Sequence, residues 1–182
     1  MQNSRLIIIT GAPGSGKTTL ALQLVKRYKL PILTHDTIKE RLYDILEPTD
    51  PDWPAKFRDA SFDLLFYFLQ QMLRTGQTII VESPFTTKRD SKRFQELVDR
   101  YPTHLMQIMC FTDRELLKQR LLDRHNSGQR HRVHFDPTPS PLADEEHILE
   151  LDGPIIKFNT TAPTESDYTP IYEAVESFLV KD

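Results

Sequence analysis

Residues Gly11-Ala12-Pro13-Gly14-Ser15-Gly16-Lys17-Thr18 set glycines, a lysine and a threonine in the spacing G-x-x-x-x-G-K-[ST]. The chemistry of that pattern is phosphate capture. Glycine permits backbone angles and a close approach that a Cβ would block. Successive backbone N–H groups then turn toward one anion. A helix beginning near Lys17 adds its positive dipole end. Lys17 is expected to reach the β- and γ-phosphates of a nucleotide, and the Thr18 hydroxyl to ligate Mg²⁺. Thr19 completes the expected nucleotide-binding set.

Three further groups of residues offer chemistry to a held phosphate. Asp36 follows a short apolar run in LTHDTIKERL. It reads either as a helix cap, accepting backbone N–H groups, or as a base that takes the proton of an acceptor hydroxyl. Glu82 closes TIIVE and reads either as a Mg²⁺ or acceptor ligand or as a solvated strand end. Arg120, Arg124, Arg130 and Arg132 cluster in one basic segment. Phosphoryl transfer needs charge neutralisation more than covalent help, and arginines supply it. A solvated basic helix is the alternative. The nearby His131 and His134 lack the cysteine partners of a metal site.

Elements must carry these groups to one place. Apolar runs at 5–10, 31–34, 78–82, 104–111 and 154–158 predict strands. Helical periodicity covers 17–28, 36–46, 55–74, 88–100, 113–126 and 168–180. Strict alternation of the two predicts an α/β fold with a parallel sheet covered on both faces. Such sheets bind ligands beyond the C-terminal ends of their strands. The proline-rich stretches 47–54 and 134–141 read as surface loops. Asn159 and Thr160, after the last strand, are candidates for the adenine edge, although a plain turn explains them equally well. No N-K-x-D guanine-reading motif is present, so ATP is expected over GTP. Trp53, Phe57 and Phe85 are candidates for an acceptor wall; most aromatics of 53–74 read as core.

The chain has 182 residues and a net charge of −3, with 23 basic and 26 acidic side chains. A broad nucleic-acid surface is not expected from that balance. Cys110 stands alone in an apolar run and reads as an inert core thiol. No apolar run has the length of a membrane span, and a reducing cytoplasm is the expected compartment.

The phosphate loop followed by the x-H-D-x-I-K/R-E-x-L pattern around Asp36 resembles the small P-loop kinases grouped with AAA-type ATP-binding proteins. Relatives in that group include the polynucleotide kinase domain and chloramphenicol phosphotransferase. The resemblance implies a P-loop NTPase fold with five parallel strands in the order 2-3-1-4-5. It also implies one domain over 1–182 with a mobile lid at about 124–141. By the same likeness Asp36 contacts the acceptor hydroxyl and Glu82 is a Walker-B-type acid. The helix containing TDRELLKQRLLDR resembles an adenylate-kinase-like lid helix. That match implies Arg120 stacked on adenine and Arg124 facing the phosphates. The implied activity is ATP- and Mg²⁺-dependent transfer to a hydroxyl of a small molecule. A polynucleotide 5′-hydroxyl kinase and a nucleotide-dependent switch are the alternatives.

Overall fold

The computed structural model describes residues 4–48, 53–128, 131–134 and 138–180. Five strands form one sheet: β1 (Ser4–Thr10), β2 (Ile32–Thr34), β3 (Thr78–Glu82), β4 (Thr103–Phe111) and β5 (Ile155–Asn159). All pairings are parallel, and the order is β2-β3-β1-β4-β5. This is the P-loop NTPase architecture expected from the sequence. The helices are α1 (Lys17–Tyr28), α2 (His35–Leu46), α3 (Trp53–Arg74), α4 (Thr87–Arg100), α5 (Arg114–Asn126) and α6 (Glu165–Val180).

Successive strand side chains point to opposite faces, and β1 shows why a run of isoleucines suits its centre. Leu6 and Ile8 join Leu65, Leu69, Phe85 and Phe94 on one face, under α3 and α4. Ile7 and Ile9 join Leu20, Leu24, Val175 and Phe178 on the other, under α1 and α6. Each such fully buried side chain contributes roughly 1.5–3 kcal/mol relative to exposure. The sheet is thereby fixed from both sides, and with it the position of every strand end.

Strand register then assembles the site. Glu82, the last residue of β3, pairs with Ile9 on one side and with Thr34 on the other. The chain leaves β1 directly into the phosphate loop and leaves β2 directly into α2. Lys17, Asp36 and Glu82 therefore issue from three adjacent strand ends.

The segment after 141, to which the sequence assigned no element, is firmly built. A short 3-10 turn at Asp144–His147 lies between α4 and β4. The Thr87 hydroxyl reaches the carbonyls of Glu146 and Ile148 at 3.0 and 2.6 Å. The Gln107 side chain bonds both backbone groups of Leu149. No helix among the described residues is long and apolar enough to cross a membrane.

Candidate active site

The phosphate loop is held from behind. Gly11 has φ +130°, and a Cβ there would run into the Cys110 carbonyl. Ala12, Gly14 and Ser15 are buried, and Pro13 and Gly16 are partly so. Gly16 takes the left-handed φ of 84° at the N-terminus of α1. The first-turn N–H groups of α1, Lys17 to Thr19, have no intrahelical partner by construction and point toward the loop. Lys17 is 6% exposed; its Nζ donates to the Ala12 carbonyl at 3.1 Å and lies 3.8 Å from Glu82 Oε1.

Thr160 and Arg120 clamp this loop to the end of β5. The Thr160 hydroxyl donates to the Ser15 carbonyl at 2.8 Å. Arg120 donates to the Thr160 carbonyl at 2.7 Å and approaches the Gly14 carbonyl at 3.4 Å. The Thr160 side chain is thus a brace for the loop, buried to 5% exposure, and not a group offered to a base edge. Asn159 is exposed and closes its own turn, accepting from the Thr161 N–H at 2.9 Å.

Thr18 and Glu82 supply the oxygens a Mg²⁺ ion would use. The Thr18 hydroxyl donates to Glu82 Oε2 at 3.1 Å. Two adjacent ligands of an octahedral Mg²⁺, each about 2.1 Å from the ion, stand about 3 Å apart. The donor set therefore fits Mg²⁺ held by one carboxylate, one hydroxyl and nucleotide phosphates. Among the described residues no cluster of three or more His, Cys, Asp or Glu could hold a metal without phosphate. Glu82 is 3% exposed. Burial pushes its carboxyl up, Lys17 and the Thr18 hydrogen bond pull it down, and the charge of Asp36 adds to the upward push. A cation beside it would relieve that strain.

Asp36 does not cap α2. Thr34 is the N-cap residue, and its hydroxyl meets that of Thr37 at 2.5 Å. Asp36 sits in the first turn with its side chain 53% exposed. His35 supports it from beneath: Nδ1 lies 3.3 Å from Asp36 Oδ1, and Nε2 lies 2.8 Å from the Ser61 hydroxyl. The ring stacks on Phe62 at 3.9 Å. Burial raises the Asp36 carboxyl, but the His35 hydrogen bond and the charges of His134, Lys17 and His35 outweigh it. The carboxyl is held well below the usual carboxylate range. Asp36 is an ionised carboxylate within electrostatic reach of Lys17.

The AAA domain family profile matches residues 6–137. The chain belongs to that family. It is 34% identical to a candidate kinase of Chloroflexus aurantiacus J-10-fl, whose crystal structure superposes with a TM-score of 0.87 over 97% of this chain and 99% of that one. It is 30% identical over 117 residues to the "Probable adenylyl-sulfate kinase" of Pyrococcus abyssi, which is 60% of this chain and 61% of that protein. It is 22% identical over 146 residues to an adenylate kinase of Giardia intestinalis, 76% of this chain and 58% of that protein. The chain thus spans about three fifths of the length of these two relatives. The sequence likeness runs to small P-loop kinases of these kinds, not specifically to polynucleotide kinase or chloramphenicol phosphotransferase.

The remaining candidate residues fall in different surroundings. Phe57 is 2% exposed, one turn into α3, where it packs between Trp53 and Tyr43. Phe85 is fully buried against Phe94 and Phe62. Neither ring offers an exposed face to an acceptor: Phe57 holds α3 against α2, and Phe85 packs between α3 and α4. Only Trp53 of the three remains partly exposed. Arg132 is exposed, with its guanidinium 5.5 Å from the Tyr43 ring on α2. Arg130 lies outside the described residues, as do 129 and 135–137 of the expected lid. Arg124 is exposed in the last turn of α5. Arg89 and Arg93 on α4 are occupied by Asp90 at 2.8 Å and Asp63 at 3.4 Å. Cys110 is buried, its thiol pushed up to about 12, and is chemically inert.

Three histidines to which the sequence assigned no site role lie close to this region. His35 orients Asp36. His147 is 1% exposed, and its Nδ1 lies 2.7 Å from the Phe85 carbonyl. His134 docks on α2 beside Asp36, with Nε2 3.1 Å from Glu40 Oε1.

Proposed function

We propose that the protein is an ATP- and Mg²⁺-dependent phosphotransferase that moves the γ-phosphate to a hydroxyl of a small molecule. The observation that carries this reading is the meeting of Lys17, the Thr18–Glu82 pair and an uncapped Asp36 at three adjacent strand ends. The kinase relatives support it. A switch protein has no need of an ionised carboxylate held open beside the loop.

In this reading the loop N–H groups and Lys17 hold the β- and γ-phosphates. Thr18 and Glu82 hold Mg²⁺, which supplies charge neutralisation at the phosphates. Asp36 accepts the hydrogen bond of the incoming hydroxyl and aligns its oxygen on the γ-phosphorus. The finer likeness of the Asp36 segment to polynucleotide kinase and chloramphenicol phosphotransferase supports the same hydroxyl-facing role. The net charge of −3 favours a small acceptor over a nucleic-acid strand.

The test is ADP release with ATP and Mg²⁺ across sugars, nucleosides, adenylyl sulfate, antibiotics and short oligonucleotides. One acceptor class should raise turnover well above the rate with water. A rate indifferent to every acceptor would replace the kinase by a nucleotide-dependent switch.

Arg124 is assigned to transition-state charge. Arg124→Ala should lower kcat roughly 10²-fold while ATP affinity in equilibrium titration barely changes. If KM rises and kcat does not move, Arg124 only binds ground-state nucleotide.

A further inference from the structure

His147 closes the short turn Asp144–His147 and is 1% exposed. Its Nδ1 lies 2.7 Å from the Phe85 carbonyl. A carbonyl only accepts, so Nδ1 carries the hydrogen of the neutral ring and donates it. Nε2 is left with the lone pair, and among the described residues it is buried without a hydrogen-bond partner. The same carbonyl accepts from the Thr10 hydroxyl at 3.3 Å. Thr10 is the last residue of β1 and leads into the phosphate loop. Phe85 belongs to the turn that leaves β3 after Glu82, where its N–H donates to the Ser83 carbonyl at 2.8 Å. One carbonyl thus joins the exits of β1 and β3 to the turn that carries His147.

We propose that His147 is an acid-sensitive catch: with one hydrogen its ring ties the 144–149 segment to the exit turn of β3, and a second hydrogen loosens that segment. The second proton can bind only at Nε2. In the closed structure it would put a cation, and a donor with no acceptor, inside the protein. Burying an unpaired charge is costly. The proton, supplied by solvent, is therefore taken up when the ring turns out to water, and turning out breaks the bond to Phe85.

The charges around the ring agree with this sign. Burial lowers its affinity for the second proton and the Phe85 bond raises it. Lys17 of α1 lowers it, Asp144 and Glu146 of its own turn raise it, and the net shift is downward. The other charged groups of the elements packed here are already paired. Glu82 meets Lys17 and Thr18. Arg89 and Asp90 of α4, which bonds the turn through Thr87, pair at 2.8 Å. Glu145 meets Lys157 at 3.3 Å. The strand β4 brings the uncharged Gln107. A ring that resists the second proton when enclosed, and takes it near the ordinary histidine value of about 6.5 when open, favours the closed segment at higher pH. As pH falls below about 6.5, one proton of linkage lowers the closed-to-open ratio by up to about tenfold per pH unit.

The test is amide hydrogen exchange of the full chain between about pH 5 and pH 8, with intrinsic exchange rates divided out. The Glu146, Ile148 and Leu149 N–H groups, bonded to Ala143, Glu145 and Gln107, report on the segment. In wild type their protection should fall by up to about tenfold per pH unit below about 6.5. Asparagine places a side-chain N–H where Nδ1 stands and does not titrate. In His147→Asn the protection at pH 8 should carry over to pH 5 with much less of that fall. His134 and Glu82 titrate in both proteins, so the difference in slope belongs to His147. Equal slopes in the two proteins would overturn the proposal. Nitrogen-15 imidazole spectra of the wild-type chain give a second measurement, which needs no variant to fold. The Nδ1–H tautomer is expected at pH 7. An Nε2–H ring, or an imidazolium still enclosed at pH 5.5, would overturn it.

Discussion

Lys17→Ala should lower kcat/KM for ATP by about 10³-fold, or roughly 4 kcal/mol of transition-state stabilisation. The side chain is almost fully buried, so its charge acts in a poorly screened environment. It is also the nearest cation to Glu82, at 3.8 Å. Removing it has a second, separable consequence. Burial already raises the Glu82 carboxyl, and Lys17 is the main force pulling it back. A carboxyl whose folded pKa lies above its unfolded value binds more protons in the folded state. Stability then falls as pH rises from the unfolded value through the folded one. The alanine variant should show more of this loss than wild type. It should melt below wild type at pH 7 to 8, and the gap should narrow toward pH 5. Calorimetric titration with MgATP and melting curves across that range check both effects. ATP binding as tight as wild type would strip the loop of its assigned work. A melting gap independent of pH would show that Lys17 and Glu82 are not electrostatically coupled.

The strands were legible because each core strand is a short run of apolar residues bounded by polar ones, as in RLIIIT and TIIVE. The expected strand and helix positions lie close to the observed ones. The largest shift is at α6, which begins at Glu165 where periodicity suggested 168. Its first turn is polar, and its start is fixed by the Asp167 carboxylate accepting from the Thr164 N–H at 2.7 Å, a local bond that hydrophobic periodicity does not register. The phosphate loop was legible because its chemistry is contiguous. The acceptor side was not, because it is assembled from segments distant in the chain. Phe57 follows a proline-rich stretch and resembles a surface ring, yet helix phase turns it onto Tyr43. His134 and Glu40 are 94 residues apart and meet only through the return of the chain past α2. A signal existed: Asp36, Glu40 and Asp44 recur every four residues, and His131 and His134 stand three apart, so matching ladders were written in both segments. Nothing in either segment alone says that the two dock.

Asp36→Asn should reduce phosphate transfer to the identified acceptor by about 10²–10⁴-fold while MgATP binds as before. The sequence left open whether this residue caps a helix or serves an acceptor, and the two roles have different energies. A cap is worth about 1 kcal/mol of stability and nothing in catalysis. Thr34 occupies the cap position, so asparagine at 36 removes only a charge from the first turn of α2. That charge favours the helix dipole by about 0.3–1 kcal/mol, and its side chain is more than half exposed, so the melting temperature should move little. Function is another matter. The carboxylate is ionised across the working pH range because His35, His134 and Lys17 hold it so. Asparagine keeps the shape but loses the charge that draws the hydroxyl's hydrogen away from its attacking oxygen. The amide can also present its NH₂ to that oxygen, donating where the mechanism requires acceptance. The hydroxyl would then sit in the site turned the wrong way, with ATP correctly held beside it. Transfer at near wild-type rate in the asparagine variant would mean that the acceptor enters elsewhere along the strand ends, and the crevice between α2 and the phosphate loop would lose its assignment.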